Sequence, residues 1–171
     1  IEGDLHILNG YFPQGESRSH PEKFPAKRRF YEDLNSYLNT SFLSSDALIL
    51  MGDMNVALSD EDVGLTEENV KRWLRSGKTS FLPEERGWLK NLLDFGLTDT
   101  FREQWGASKR LYSWYDYRSK GFEQDPKRGL RIDLILASNS AKSFVKNSGI
   151  DVDSRAHEKP SDHCPIWIDM T

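Results

Sequence analysis

Asp46-Ala47-Leu48-Ile49-Leu50-Met51-Gly52-Asp53-Met54-Asn55 is the stretch of this 171-residue chain that decides its fold. Four consecutive large apolar residues, Leu48 to Met51, predict a strand that is covered on both faces, as in a layered α/β domain. Gly52 allows the backbone to turn at the end of this strand, and Asp53 and Asn55 then lie on one side of the chain. Open α/β sheets bind their ligands at that edge, which predicts a functional role for both side chains. An Asx-type turn that only caps backbone groups is the alternative.

Composition limits the class of protein. The length suits one domain with a real core, and a net charge of -4 argues against a basic surface that coats nucleic acid. The single cysteine, Cys164, excludes an intramolecular disulfide and a cysteine-rich zinc site, and it predicts a reducing, cytoplasmic compartment. No apolar run approaches membrane-spanning length, so no membrane partner is expected. Because the chain begins at Ile1 rather than Met, we expect a piece of a longer protein.

Apolar periodicity and turn residues predict the other elements, with no repeat or linker that would divide the chain. The charged residues of the predicted helices, among them Lys27, Arg28 and Arg29 in the first helix and Glu84 and Glu85 in the third, are expected to form solvated faces. Strands are predicted at 5–11, 111–117 and 130–137 and over the last residues of the chain, and helices around 30–38, 66–77 and 83–96.

A local excess of positive charge lies between Lys109 and Arg131. Seven basic and three acidic residues give this segment a charge of +4 inside an acidic chain. Trp114, Tyr115 and Tyr117 precede most of these charges. Aromatic residues beside a basic loop suit a base or sugar pocket next to a phosphate-binding surface. An ordinary hydrophobic strand followed by a solvated loop is the alternative.

Two carboxylates and a histidine in the C-terminal half suggest acid–base chemistry. Asp133 lies in an apolar run, where a carboxylate is costly unless it is paired. Asp162 and His163 stand together just before the last predicted strand. His163 with Asp133 would form a general acid–base or charge-stabilising pair, and Asp53 with Asp162 would hold a hard divalent ion such as Mg²⁺.

Phosphodiester hydrolysis would use such a set of groups. It requires a positioned water, a base, neutralisation of the phosphoryl oxygens and assistance to the leaving oxygen. Asp53, Asn55, His163 and a metal ion would meet these needs, with the phenol of Tyr11 near the phosphate.

Five short segments occur in a fixed order along the chain: Asn9-Gly10-Tyr11-Phe12-Pro13-Gln14-Gly15, Gly52-Asp53-Met54-Asn55, Ser113-Trp114-Tyr115-Asp116-Tyr117-Arg118, Leu130-Arg131-Ile132-Asp133 and Ser161-Asp162-His163. In this order they resemble the segments of the exonuclease III family, which is part of the exonuclease/endonuclease/phosphatase superfamily. The resemblance covers essentially the whole chain.

The resemblance implies an α/β (α+β) fold. Residues 1–171 would form the C-terminal half of a four-layered α/β sandwich, in which mixed β-sheets pack face to face with helices outside. The N-terminal portion of the endonuclease/exonuclease/phosphatase domain would be absent, together with a metal-binding glutamate and an active-site asparagine. Glu2 does not replace that glutamate merely by being acidic, so we expect the missing half to be needed for a complete metal site.

The resemblance also implies metal-dependent hydrolysis of double-stranded DNA, with Mg²⁺ or Mn²⁺ as the cofactor. The activities would be incision 5′ to an abasic site, 3′-to-5′ exonuclease and 3′-phosphatase. Two alternatives stay open. The first alternative to a DNA nuclease is a hydrolase of small phosphoesters from the same superfamily. The second is a non-catalytic fragment that serves DNA binding or assembly.

The residue roles that the resemblance implies fall into three groups. The flipped-out sugar of abasic DNA would enter an apolar slot in the protein that a normal nucleotide does not fit. The implied catalytic residues are Tyr11, Asp53, Asn55, Asp133 and His163. The implied substrate-binding residues are Gln14, which contacts phosphate, and Trp114, Leu130 and Ile132, which form the walls of the slot. The implied metal ligands are Asp53, Asn55 and Asp162.

Overall fold

The computed structural model describes residues 4–171, which form two β-sheets, five α-helices and three short 3₁₀ helices, at Asp60–Asp62, Gly121–Glu123 and Val152–Ala156. No helix in this part is long and apolar enough to cross a membrane. The strands are β1 (Leu5–Tyr11), β2 (Ala47–Asp53), β3 (Leu97–Asp99), β4 (Asp133–Ser138), β5 (Val145–Ile150) and β6 (Ile166–Met170). The helices are α1 (Lys23–Ser41), α2 (Glu67–Ser76), α3 (Pro83–Asp94), α4 (Thr100–Trp105) and α5 (Asn139–Lys142).

The larger sheet is mixed and has the strand order β1-β2-β4-β3. β1 runs parallel to β2, and β4 runs antiparallel to both β2 and β3. As the sequence predicts, the apolar run of β2 is covered on both faces, because Leu48, Ile49 and Leu50 are at most 2% exposed. This sheet is the middle layer of the molecule.

The two faces of the mixed sheet pack against different elements. On one face, Leu50 and Leu136 pack with the inward residues Tyr31 of α1 and Leu89 of α3. On the other face, Ile135 and its neighbours pack against the antiparallel pair β5-β6. The predicted mixed sheet flanked by helices is therefore confirmed. The second sheet has two antiparallel strands in residues 4–171 and is not mixed.

The boundaries of α2 and α3 follow the residue types at their ends. The hydroxyl of Thr66 accepts a hydrogen bond from the backbone N–H of Asn69, which caps α2. Gly77 ends α2 in the left-handed conformation, with φ of 68°. Pro83 opens α3, where its missing N–H costs nothing. The predicted helix boundaries at 66–77 and 83–96 agree with the structure to within two residues.

The prediction of a strand at 111–117 is wrong. Trp114 forms isolated bridges with Leu130 and with His163, and the segment makes no longer ladder within residues 4–171. The buried hydroxyl of Ser113 explains this result, because it accepts hydrogen bonds from two backbone N–H groups that a ladder would use.

The same hydroxyl sets the beginning of β4. The N–H groups of Ile132 and Asp133 both donate to Ser113 Oγ at 3.0 Å. β4 therefore begins at Asp133 and not at Leu130, as the sequence pattern predicted.

The prediction that the helix charges are solvated is wrong for Lys27 and Glu85. Both side chains are fully buried, and Lys27 Nζ lies 2.5 Å from Glu85 Oε1. Arg28 and Arg29 do face solvent, at 63% and 82% exposure. The difference lies in helical position, because Lys27 is one turn before Tyr31 on the inward face of α1.

Gly52→Ala tests the turn that ends β2. Gly52 has φ of 132°, and a Cβ there would lie 1.9 Å from the carbonyl oxygen of Gly10 on the neighbouring strand. The backbone strain alone is worth about 1–3 kcal/mol, so we expect the free energy of unfolding to fall by at least that amount in urea titrations.

Gly87→Ala is the matched control. Gly87 lies inside α3, and a Cβ there meets nothing within 4 Å. The same substitution should raise the free energy of unfolding by about 0.5–1 kcal/mol. Equal stability of the two variants would contradict the role of Gly52.

Candidate active site

Three strand ends bring the predicted catalytic residues together. Tyr11 ends β1 and lies opposite Asp53, which ends β2. Asp53 in turn lies opposite Asp133, the first residue of the antiparallel strand β4. The three side chains therefore share one edge of the mixed sheet, which we call the rim.

A cavity of about 250 Å³ opens at the rim. Asp133 is not part of its lining and stands behind His163. The lining includes every other predicted site residue: Tyr11, Gln14, Asp53, Asn55, Trp114, Leu130, Ile132, Asp162 and His163.

Asp53 and Asn55 are held to each other in a tight turn. The backbone N–H of Asn55 donates to Asp53 Oδ1 at 2.9 Å, and Asn55 Nδ2 donates to Asp53 Oδ2 at 3.0 Å. Asn55 Nδ2 also donates to the carbonyl oxygen of Phe12. The Asx-type turn, considered as the alternative to a functional role, is present, and it orients the carboxylate toward the cavity. The two interpretations are compatible.

Burial raises the pKa of Asp53 to about 6, and the negative charge of Asp133 on the adjacent strand adds to this rise. The hydrogen bond from the Asn55 backbone and the positive charges of His163 and Lys27 oppose it. A carboxylate with a pKa near neutrality is a better proton acceptor than an exposed one.

His163 is oriented by Asp133. Nδ1 of His163 lies 2.9 Å and 3.1 Å from the two carboxylate oxygens of Asp133, which supplies the partner that this acid needs. Burial opposes the charge of His163, but the hydrogen bond and the negative charge of Asp133 outweigh it and raise the pKa of the imidazole. Because Nδ1 is occupied, Nε2 is the ring nitrogen left for the cavity.

One cluster at the rim suits a metal ion. Ligand atoms of Asp53, Asp133 and His163 lie within 4.8 Å of one another. Carboxylate oxygens are the donors that hard divalent cations prefer, so the residues fit such an ion. Asp162 is outside this cluster, and its carboxylate accepts a hydrogen bond from the indole N–H of Trp114 at 3.0 Å. The metal set of Asp53, Asn55 and Asp162 stays a prediction.

The apolar wall of the cavity is built by three residues. Leu130 and Ile132 are at most 4% exposed, and Trp114 is half-buried. The backbones of Trp114 and Leu130 exchange two hydrogen bonds of 2.9 Å, which fixes the indole beside the two aliphatic side chains. Such a wall suits an apolar ligand group next to the polar rim.

The two residues predicted to contact phosphate, Gln14 and Tyr11, differ in their surroundings. Gln14 is engaged at both ends, since Nε2 donates to Thr79 Oγ1 and Oε1 accepts from the backbone of Glu16. Tyr11 is 74% exposed, and its side chain stands at the mouth of the cavity.

The Lys27–Glu85 pair, which sequence reasoning missed, lies directly under the rim. Lys27 Nζ donates to the backbone carbonyl of Asn55 at 2.9 Å and to that of Gln14 at 3.3 Å. Glu85 Oε2 accepts from the backbone N–H groups of Ser80 and Leu82, each at 2.8 Å. The pair therefore ties together three loops that line the cavity.

A signal for this pair was present in the sequence. Lys27 precedes Tyr31 and Leu38, and Glu85 precedes Leu89, all at helical spacing on the inward faces of α1 and α3. A charged residue in phase with an apolar stripe indicates burial, and two such residues of opposite sign indicate a pair.

Trp73, Lys78 and Ser80 also line the cavity and were missed. They come from α2 and from the segment between α2 and α3. Their ordinary helix and loop spacing carries no signal of a site, because only the packing of this segment against the rim brings them there.

The profile of the Endonuclease/Exonuclease/phosphatase family matches residues 2–163. The chain belongs to this family. Among its relatives, exodeoxyribonuclease III of Haemophilus influenzae is 54% identical over 168 residues, which are 98% of this chain and 62% of that protein. The DNA repair nuclease APEX1 of Danio rerio is 32% identical over 96% of this chain and 48% of its own length.

Solved structures of family members have the same fold. An AP endonuclease from Archaeoglobus fulgidus superposes with a TM-score of 0.85 at 31% identity, over 96% of this chain and 60% of that one. A 3′ phosphatase from Neisseria, bound to a product DNA hairpin, superposes with a TM-score of 0.83 at 33% identity, over 98% and 61%. The chain thus spans less than two thirds of the family members that it matches.

Lys27→Met tests the buried pair. The variant leaves Glu85 as an unpaired buried charge, so we expect the free energy of unfolding to fall by about 3–5 kcal/mol in denaturant titrations.

The double variant Lys27→Met/Glu85→Gln is the control. It removes both charges and keeps an acceptor for the amides of Ser80 and Leu82, so it should be more stable than Lys27→Met alone. A double variant that loses as much stability as the single one would contradict the ion-pair explanation.

Proposed function

We propose that the protein containing this chain is a DNA-repair phosphodiesterase. Its reaction is the hydrolysis of double-stranded DNA, as a 3′-to-5′ exonuclease and 3′-phosphatase and as an endonuclease that incises 5′ to abasic sites. The observation that carries the proposal is the convergence of Asp53 and the Asp133–His163 pair beside the apolar wall. Family relatives named as an exodeoxyribonuclease III and a DNA repair nuclease support it.

The chemistry assigned to the rim follows from its geometry. Asp53, with its raised pKa and its orientation by Asn55, positions and deprotonates the attacking water. His163, whose pKa is raised by the hydrogen bond and negative charge of Asp133, stabilises in its protonated form the negative charge that develops on the phosphoryl oxygens. Tyr11, at the mouth of the cavity, donates a hydrogen bond to the phosphate.

Mg²⁺ or Mn²⁺ completes the proposed site. When bound, the ion neutralises phosphoryl charge. Asp53 would be its ligand on β2, because this carboxylate is common to the set predicted from the sequence, Asp53, Asn55 and Asp162, and to the cluster that the fold brings together. Because the chain spans 62% of the Haemophilus enzyme, the proposal leaves room for further ligands from outside the chain.

The apolar wall gives the proposed preference for abasic DNA. Trp114, Leu130 and Ile132 offer no hydrogen-bonding side chain other than the indole N–H, and Asp162 already accepts that bond. A base-free sugar would fill such a slot and would leave no polar group unpaired. A normal nucleotide would bring a base whose polar edge finds no hydrogen-bonding partner there.

A cytoplasmic setting is part of the proposal. The one cysteine, Cys164, is free and buried, a state that reducing compartments preserve.

Asp53→Asn should lower the rate of cleavage of a duplex carrying one abasic-site analogue by about 10²–10⁴-fold with Mg²⁺, because the water loses its base. Asp33→Asn, on the exposed face of α1, is the control and should cleave at the wild-type rate.

Wild-type cleavage by Asp53→Asn would refute the site assignment. Duplex binding without hydrolysis by the wild-type protein would favour a non-catalytic DNA-binding protein. Hydrolysis of small phosphoesters without cleavage of duplex DNA would favour a small-molecule phosphoesterase of the same superfamily.

Trp114→Ala should reduce the preference for abasic over normal duplex DNA, measured as the ratio of the two kcat/KM values, because one wall of the slot is removed. Trp105→Ala serves as the control, since Trp105 is half exposed on α4 and lines none of the cavities described. An unchanged ratio in Trp114→Ala would remove this residue from the recognition slot.

A further inference from the structure

The aliphatic part of the apolar wall precedes the regular strand. β4 begins at Asp133, so Leu130 and Ile132 lie just before it. Leu130 pairs with Val63 and with Trp114 through isolated bridges rather than through a ladder. The position of the wall therefore depends on the side chains that hold this short segment as well as on backbone pairing.

Arg131 lies between the two aliphatic residues of the wall. Neighbouring residues of an extended segment point to opposite sides, so the side chain of Arg131 leaves the segment on the side opposite Leu130 and Ile132. It is 1% exposed, and the two aliphatic side chains line the cavity at the rim. The backbone N–H of Arg131 donates to the carbonyl oxygen of Asp62 at 2.9 Å. A guanidinium group buried in this way is costly unless it is paired.

Two buried carboxylates pair with Arg131. Its Nε donates to Asp62 Oδ1 at 2.7 Å, and its Nη2 donates to Asp62 Oδ2 at 3.1 Å. Nη2 also donates to Asp99 Oδ2 at 2.5 Å, and Nη1 donates to Asp99 Oδ1 at 3.2 Å. Both carboxylates are at most 6% exposed. The planar guanidinium must meet both carboxylates at once, which leaves it little freedom to move.

The two carboxylates are held by other groups in turn. Asp62 accepts hydrogen bonds from the backbone N–H and the hydroxyl of Ser59, each at 3.1 Å, and from Arg102 of α4. Asp99 accepts from the backbone N–H groups of Phe101 and Arg102 and so caps α4. Burial raises the pKa of Asp62, but the charges of its two arginine partners outweigh burial and lower it. The anchor of the wall segment is therefore an ionised network that joins a loop to the start of α4.

We propose that Arg131 is a positioning residue that sets the preference for abasic DNA, because it holds Leu130 and Ile132 at the distance from Trp114 that excludes a base. This inference rests on the proposed function. The segment cannot rotate toward or away from the indole without breaking the four hydrogen bonds of the guanidinium group. Arg131 itself does not touch the DNA and acts through the wall.

The catalytic carboxylate is held independently of Arg131. Asp133 lies opposite Asp53 in the ladder between β2 and β4, and its backbone N–H donates to Ser113 Oγ at 3.0 Å. A change at Arg131 should therefore move the apolar wall more than the rim. We expect an effect on the choice of substrate and not on the rate of hydrolysis.

Arg131→Lys in the full-length protein tests the anchor. Lysine keeps the positive charge, but its ammonium group cannot span two carboxylates as the planar guanidinium does. Cleavage with Mg²⁺ is measured on an abasic-analogue duplex and on an intact duplex, under conditions in which urea titrations show the variant to be folded. The ratio of the two kcat/KM values should fall about tenfold, at the low end of what an apolar pocket supplies by shape. The kcat on the intact duplex should stay at the wild-type value.

Arg102→Lys is the matched control. Arg102 donates to the same carboxylate of Asp62, and its other hydrogen bonds within residues 4–171 end on the carbonyl oxygens of Gly106 and Lys109. The variant weakens the same network from α4, away from the wall segment, and should keep the wild-type ratio. A ratio that is equal in Arg131→Lys and Arg102→Lys, whether unchanged or lowered, would overturn the proposal.

Asp99→Asn covers the case in which Arg131→Lys does not fold. Asparagine caps helices about as well as aspartate, and Arg131 keeps its pairing with Asp62. The ratio should fall in the same direction, and an unchanged ratio would contradict the proposal.

The double variant Arg131→Lys/Trp114→Ala tests whether Arg131 acts through the wall. Two changes to one wall should lower the ratio by less than the product of the two separate effects, because residues that share partners do not act additively. An effect equal to the product would mean that Arg131 acts elsewhere.

Two outcomes separate this inference from the function on which it rests. If the wild-type protein prefers the abasic duplex and Arg131→Lys keeps that preference, the role of Arg131 fails alone. If the wild-type protein cleaves neither duplex, the proposed function fails. The ratio of the affinities for the two duplexes without divalent metal then tests Arg131, and an equal ratio in Arg131→Lys and the wild-type protein would refute its role.

Discussion

The buried ion pair between Lys27 and Glu85 is the interaction on which the geometry of the rim depends. Burial lowers the pKa of Lys27 and raises that of Glu85, so each charge is maintained in the core only by the other and by hydrogen bonds. Those hydrogen bonds end on backbone groups of three loops, at Gln14, Asn55 and Ser80. An apolar pair of similar volume would fill the space, but it would leave these loops without a common attachment.

A second constraint acts within the sheet itself. The register that places Asp53 opposite Asp133 brings two carboxylates to adjacent strand ends, where the negative charge of Asp133 adds to the rise in the pKa of Asp53. The arrangement is tolerated because Asn55 donates two hydrogen bonds to Asp53 and His163 pairs with Asp133. A cavity-lining carboxylate with a raised pKa, as Asp53 has, is typical of functional sites.

Trp114 connects the apolar wall to the polar residues of the cavity, because its indole N–H donates to Asp162. Its backbone connects two parts of the chain, by hydrogen bonds with Leu130 and by a bridge with His163. The segment around it is irregular because Ser113 uses its hydroxyl for backbone groups that a strand would pair. This irregular segment holds the indole in the lining of the cavity with Leu130 and Ile132.

The sequence by itself determined the buried strand at Leu48–Leu50, the helix boundaries at Thr66 and Gly77, and nine of the residues that line the cavity, because these depend on local periodicity, on end-capping chemistry and on short motifs. Tertiary structure decided that residues 111–117 form no strand, and it brought Lys27, whose helical phase with Tyr31 indicates burial, against Glu85. Both outcomes depend on partners distant in the chain, Ile132 and Asp133 for Ser113, and Glu85 for Lys27. A local pattern carries the preference of a segment, whereas the partner that satisfies its polar groups exists only once the chain has folded.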